Sequence, residues 1–116
     1  MLSWEEKRKR KRLFTLLQVE YRGRNLWQMA EAKDISAYGM FIAAEKTEPP
    51  LTNVELMFEL KKGDARKNIV AEGVVEWNRA CPGKDDSGRI LPAGMGIMFT
   101  RLIPAASKDF IKSALA

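Results

Sequence analysis

The chain has 116 residues, 46% of them hydrophobic, enough for one domain with a core of its own and too few for a second. Its net charge of +5 is concentrated: Lys7, Arg8, Lys9, Arg10, Lys11 and Arg12 supply +6, so the other 110 residues sum to −1 and offer no broad basic face for tracking a nucleic-acid backbone. With no histidine and one cysteine, Cys81, the sequence has neither the ligands of a Cys/His zinc site, nor an imidazole to activate a nucleophile, nor a partner for an internal disulfide.

In chain order, Met1 to Glu6 is charged and lacks the apolar stretch of a signal peptide, and no apolar run approaches the roughly 18 residues that span a bilayer. A cytoplasmic location is the expectation. Residues 1–12 are polar and self-repelling, which predicts a flexible basic arm, with residues 13–116 forming the folded domain. From there the dominant hydrophobic period is two. Leu17, Val19 and Tyr21 alternate with Gln18 and Glu20, and Arg22 to Asn25 has the composition of a hairpin turn. Trp27 heads a strand that leads to Asp34; Met40 to Ala44 is a short apolar run after a turn at Tyr38-Gly39. Beyond a loop at Glu48-Pro49-Pro50, Val54, Leu56, Phe58 and Leu60 line one side of a strand; after Lys61 to Asp64, a loop by composition, Ile69, Ala71, Gly73, Val75 and Trp77 line another. Cys81 to Pro92 is predicted to be the longest loop, and Met95, Ile97 and Phe99 form a last row opposite Gly94, Gly96 and Met98. Helical spacing occurs only at the end, where Pro104 suits a first turn and Phe110, Ile111, Ala114 and Leu115 share a face. Many short antiparallel strands and one helix favour an all-β small barrel with the helix over one opening.

No glycine pattern fits a P-loop or dinucleotide fold, and Glu5-Glu6 and Asp85-Asp86 read as solvated pairs, so catalysis is not expected and no cofactor or metal is called for. Two other motifs stand out. Asp34-Ile35-Ser36-Ala37-Tyr38-Gly39 has the form Asp-x-Ser-x-x-Gly, and Arg8 and Arg12 make an Arg-x-x-x-Arg upstream of it. In that order the pair resembles the PilZ domain, the bacterial receptor module for cyclic di-GMP. The resemblance runs from Arg8 to about Leu102 and takes in Glu72 to Trp77 and Gly94 to Phe99, which look like the family's later strands. It implies a split antiparallel β-barrel of about six strands with a C-terminal α-helix.

It also implies a ligand site. Arg8 and Arg12 would hold guanine O6 and N7, or a phosphate, through their planar forks. The carboxylate of Asp34 suits the N1 and N2 donors of guanine; Ser36 can donate to a phosphate or base; Gly39 allows positive φ or close backbone approach. Trp77 resembles a family position near the ligand, and core filling is its alternative role. A dinucleotide held between arm and barrel would order residues 1–12 and alter the surface offered to a downstream protein partner, with an output such as motility, biofilm or surface polysaccharide. Lys9-Arg10-Lys11 departs from the aromatic or proline that other members often carry there, and Lys7, at a position linked to ligand number, leaves one or two ligands open. The alternatives are a PilZ-like adaptor that binds a protein or the anionic inner membrane face without nucleotide, and nonspecific nucleic-acid binding by the arm.

Overall fold

The computed structural model describes residues 13–115, the first four of them by backbone alone. Six long strands close an antiparallel barrel: β1 (Leu13–Arg22), β2 (Trp27–Ser36), β3 (Gly39–Ala43), β4 (Asn53–Lys62), β5 (Ala65–Arg79) and β8 (Gly94–Ile103), in the order β1-β2-β3-β8-β5-β4. A separate two-stranded ribbon, β6 (Gly83–Lys84) with β7 (Ile90–Leu91), lies within the excursion expected as a loop. One described helix, α1 (Ser107–Ala114), follows β8. No helix among the described residues is long and apolar enough to cross a membrane.

The alternating rows become the core. Val19 and Tyr21 of β1, Val54, Leu56, Phe58 and Leu60 of β4, Ile69, Ala71 and Val75 of β5, and Met95 and Ile97 of β8 all face inward and are buried. Ala30, Ala32 and Ile35 of β2 and Met40 and Ile42 of β3 complete the lining. Lys61 and Lys62 belong to β4, and the turn to β5 is only Gly63 and Asp64, with Gly63 at φ 57°.

The barrel does not close evenly. β1 pairs with β4 through Glu20, Tyr21 and Arg22 alone, whereas β4 and β5 pair from Asn53–Val74 to Lys62–Ala65. Helix α1 lies over β4 and β8, with Ile111 fully buried and Phe110, Ala114 and Leu115 against the core. Lys62 donates to the Ser113 hydroxyl on its outer turn. Pro104 stands ahead of this helix rather than in its first turn: its carbonyl accepts from the Ser107 amide at 2.9 Å.

Glu48, unremarkable in sequence, is buried and accepts from the Tyr21 hydroxyl at 2.6 Å and the amides of Arg24 and Asn25 at 3.1 and 3.0 Å. It thus fastens the β3–β4 loop to the β1–β2 turn. Its carbonyl also accepts from Asn78 Nδ2 at 3.0 Å, which adds the end of β5 to the same knot. Burial pushes the Tyr21 phenol well above its ordinary pKa, and the neighbouring Glu48 carboxylate pushes it the same way.

Candidate functional site

The turn from β2 to β3 is built by the Asp-x-Ser-x-x-Gly motif. Buried Ser36 accepts from the Tyr38 amide at 3.2 Å and donates to the Gly39 carbonyl at 3.4 Å, so its hydroxyl closes the turn on itself. The next strand approaches very closely: a Cβ on Gly39 would lie 2.2 Å from the Ile97 carbonyl oxygen of β8. The Phe99 amide donates to the Tyr38 carbonyl at 2.8 Å and pins the turn to β8. The ammonium groups of Lys108 and Lys112, one helical turn apart on α1, sit 4.6 and 5.7 Å from the centre of the Tyr38 ring.

Register places the other motif residues in one row on the outer wall. Asp34 of β2 is opposite Phe41 of β3, Phe41 is opposite Gly96 of β8, and Gly96 is opposite Trp77 of β5. Bulges between Ala32 and Asp34 and between Val75 and Trp77 mark both ends. The second bulge overturns the expectation that Trp77 continues the inward row of β5. One extra residue shifts the alternation, and the indole turns outward, 39% exposed.

Once outside, Trp77 stacks on Phe41, ring centroids 5.3 Å apart and planes 11° from parallel, although β8 runs between their strands. Gly96 makes this possible, because a Cβ there would fall 2.2 Å from Trp77 Nε1. Arg79, two residues on and on the same face, carries its guanidinium 5.2 Å from the Trp77 ring and 5.9 Å from Phe41. Its Nη1 donates to the Pro92 carbonyl at 2.9 Å, which fixes the group beside the rings. The result is an aromatic shelf with a held cation at one end and half-buried Asp34 at the other. Such a shelf can take a planar base on its face, and a carboxylate can accept from the donors on that base's edge.

Asp34, Ser36, Gly39 and Trp77 are thus gathered along adjoining strands of one wall; Arg8 and Arg12 lie outside the described residues. Phe41 and Arg79 were missed by the sequence reading. Trp77-x-Arg79 in a strand implied a shared face, whereas nothing in Met40 to Ala44 marked Phe41 for the outside. A concavity lined by Arg24, Thr52, Asn53 and the loop from Pro49 to Leu51 holds none of these residues. No cluster of His, Cys, Asp and Glu able to hold a metal exists among the described residues.

Fold and motif together define a class: a six-stranded antiparallel barrel with a terminal helix, its signature hairpin and aromatic shelf laid on the outer wall. The chain belongs to the PilZ domain family, whose model matches residues 6–115. PilZ domains are ligand-binding effector modules of the cyclic di-GMP receptor family. Among solved structures the chain is similar to the Bacillus subtilis inhibitor of motility (MotI/DgrA), with a TM-score of 0.69 and 16% identity, a likeness of fold. That match covers 98% of this chain and 55% of the other, so this chain spans about half the length of its structural neighbour. No curated protein matches.

Proposed function

We propose that this chain is a cyclic di-GMP receptor without catalytic activity that signals to a protein partner inside the cell. The observation that carries the reading is the single outer row Asp34–Phe41–Gly96–Trp77, which sets a guanine-reading carboxylate and a stacking shelf on one wall. β1 supports it from the other side. Leu13 pairs with Ile35 and Phe14 with Asp34, so the start of β1 lies beside the motif turn. Arg8 and Arg12 grip the ligand's phosphates or Hoogsteen edges, Asp34 selects guanine, Ser36 and Gly39 shape the turn, and Trp77 with Phe41 stacks a base. Binding orders the basic arm against the barrel and changes the surface a partner meets. The fold likeness to an inhibitor of motility makes motility the first output to examine.

The test is calorimetric titration of cyclic di-GMP into wild type, Arg12→Ala and Asp34→Ala, with cyclic di-AMP and GTP as controls. Binding of cyclic di-GMP alone, lost in both variants, is the expected result, and its stoichiometry decides between one and two ligands. No binding by the wild type refutes the receptor reading and leaves a nucleotide-independent adaptor.

A further inference from the structure

Helix α1 carries two cations to the edge of the motif turn. Lys108 and Lys112 are exposed, one helical turn apart, and both ammonium groups come to the same ring, 4.6 and 5.7 Å from the centre of Tyr38. That ring is rooted in the motif: the Tyr38 amide donates to Ser36 Oγ at 3.2 Å, and Gly39 is the next residue. Among the described residues neither ammonium has a carboxylate within ion-pair distance, although Asp109, three positions before Lys112, is its neighbour on the helix surface. Other lysines nearby are engaged. Lys33, beside Asp34 on β2, pairs with Glu31 at 2.6 Å, and Lys62 donates to the Ser113 hydroxyl. Two like charges therefore converge on the turn without an anion to offset them.

We infer that Lys108 and Lys112 form a phosphate subsite that takes a phosphodiester of the cyclic dinucleotide bound at the β2–β3 turn. The inference rests on the receptor reading above and adds α1 to its site. An ammonium is a compact point charge with three donors on a flexible stem, suited to phosphate oxygens approached from any side, whereas the planar arginine fork matches a guanine edge. Labour divides accordingly: the helix lysines hold a phosphate, which leaves Arg8 and Arg12 for O6 and N7. The Tyr38 ring is a weaker partner than phosphate and keeps both ammonium groups beside Ser36 until the ligand arrives. A lipid headgroup offers the same phosphate chemistry. The position of the ring, two residues from Ser36, favours the dinucleotide.

The test is calorimetric titration of cyclic di-GMP, at low and high salt, into the 116-residue chain as wild type, Lys108→Ala/Lys112→Ala, Lys108→Arg/Lys112→Arg and a charge-matched control, Lys46→Ala/Lys84→Ala. The control lysines are exposed in the β3–β4 loop and the β6–β7 ribbon, beyond the other end of β3. The expected result is at least tenfold weaker binding by the alanine pair at low salt and a smaller loss at high salt, with the arginine pair and the control close to wild type. Both lysines are exposed, so the urea midpoint of the alanine pair should hold. Four results overturn the inference while the receptor reading stands: wild-type affinity in the alanine pair; equal weakening of the control, which would make the effect one of net charge; a urea midpoint that falls with affinity, which would make the lysines braces for Tyr38; or loss of sedimentation with phosphatidylglycerol vesicles at unchanged nucleotide affinity, which would assign them to a lipid headgroup. Failure of the wild type to bind cyclic di-GMP removes the receptor reading and this subsite with it.

Discussion

Tyr21→Phe isolates the bond between β1 and the buried Glu48. The substitution keeps the ring that fills the core and deletes only the hydroxyl that reaches Glu48 Oε1 at 2.6 Å. The bond is buried and its acceptor is a carboxylate, so its loss costs about 1.5–3 kcal/mol. The lower half of that range applies, because Glu48 keeps the amides of Arg24 and Asn25 and is not orphaned. About 2 kcal/mol lowers the melting temperature of a domain this size by roughly 8 °C. The same bond has a signature in alkali. Below pH 10 folded and unfolded chains both hold the phenolic proton, and the contribution is complete. Above it the unfolded chain releases the proton while the folded chain keeps it, because burial and Glu48 have raised the folded pKa. Wild type therefore loses up to about 1.4 kcal/mol per pH unit from this group, and its advantage over Tyr21→Phe shrinks by about that much at pH 11. Every other group is common to the two proteins and cancels in the difference. Urea unfolding of the two proteins at pH 7, 10 and 11 measures it. Equal midpoints at pH 7, or a difference that stays constant to pH 11, would refute the account of Glu48 as a buried carboxylate held by Tyr21.

Trp77→Ala should weaken cyclic di-GMP binding by about 1–3 kcal/mol, roughly 5–150-fold, by removing half of the stacking shelf. Because the indole lies on the outer wall, the urea midpoint should move little; a large drop would mean Trp77 serves the fold. Gly39→Ala drives a Cβ to 2.2 Å from the Ile97 carbonyl, where only backbone can yield, and should cost about 2–3 kcal/mol in urea unfolding. A variant as stable as wild type would show that the β2–β3 turn is held less tightly than its geometry requires.

The core was legible because strand period two needs no tertiary information: the residues at 54, 56, 58 and 60 face inward wherever β4 lies in the sheet. What broke the pattern was local. A bulge adds a residue without a signature in composition, so the alternation that places Ile69, Ala71 and Val75 correctly fails at Trp77. Glu48 was hidden for another reason. Before two prolines it reads as solvated loop, and only the arrival of Tyr21 and the Arg24 and Asn25 amides from 23 to 27 residues away makes its burial possible. The site was readable where its geometry is local, at the Ser36–Gly39 turn, and unreadable where it is assembled across strands, as with Phe41 reaching Trp77 over Gly96.

The three residue pairs joining β1 to β4 make this barrel unevenly resistant to opening. From Leu13 to Val19, β1 has β2 on one side and, among the described residues, no strand on the other, so peeling starts there at lower free energy than along the β4–β5 ladder. That end is also the one beside Asp34 and Ser36. A ligand that ties the chain before Leu13 to the β2–β3 turn would then act as a clasp on the seam, slowing amide exchange in β1 far more than in β4, and the domain would register the messenger as a change in how often one strand lifts from its wall.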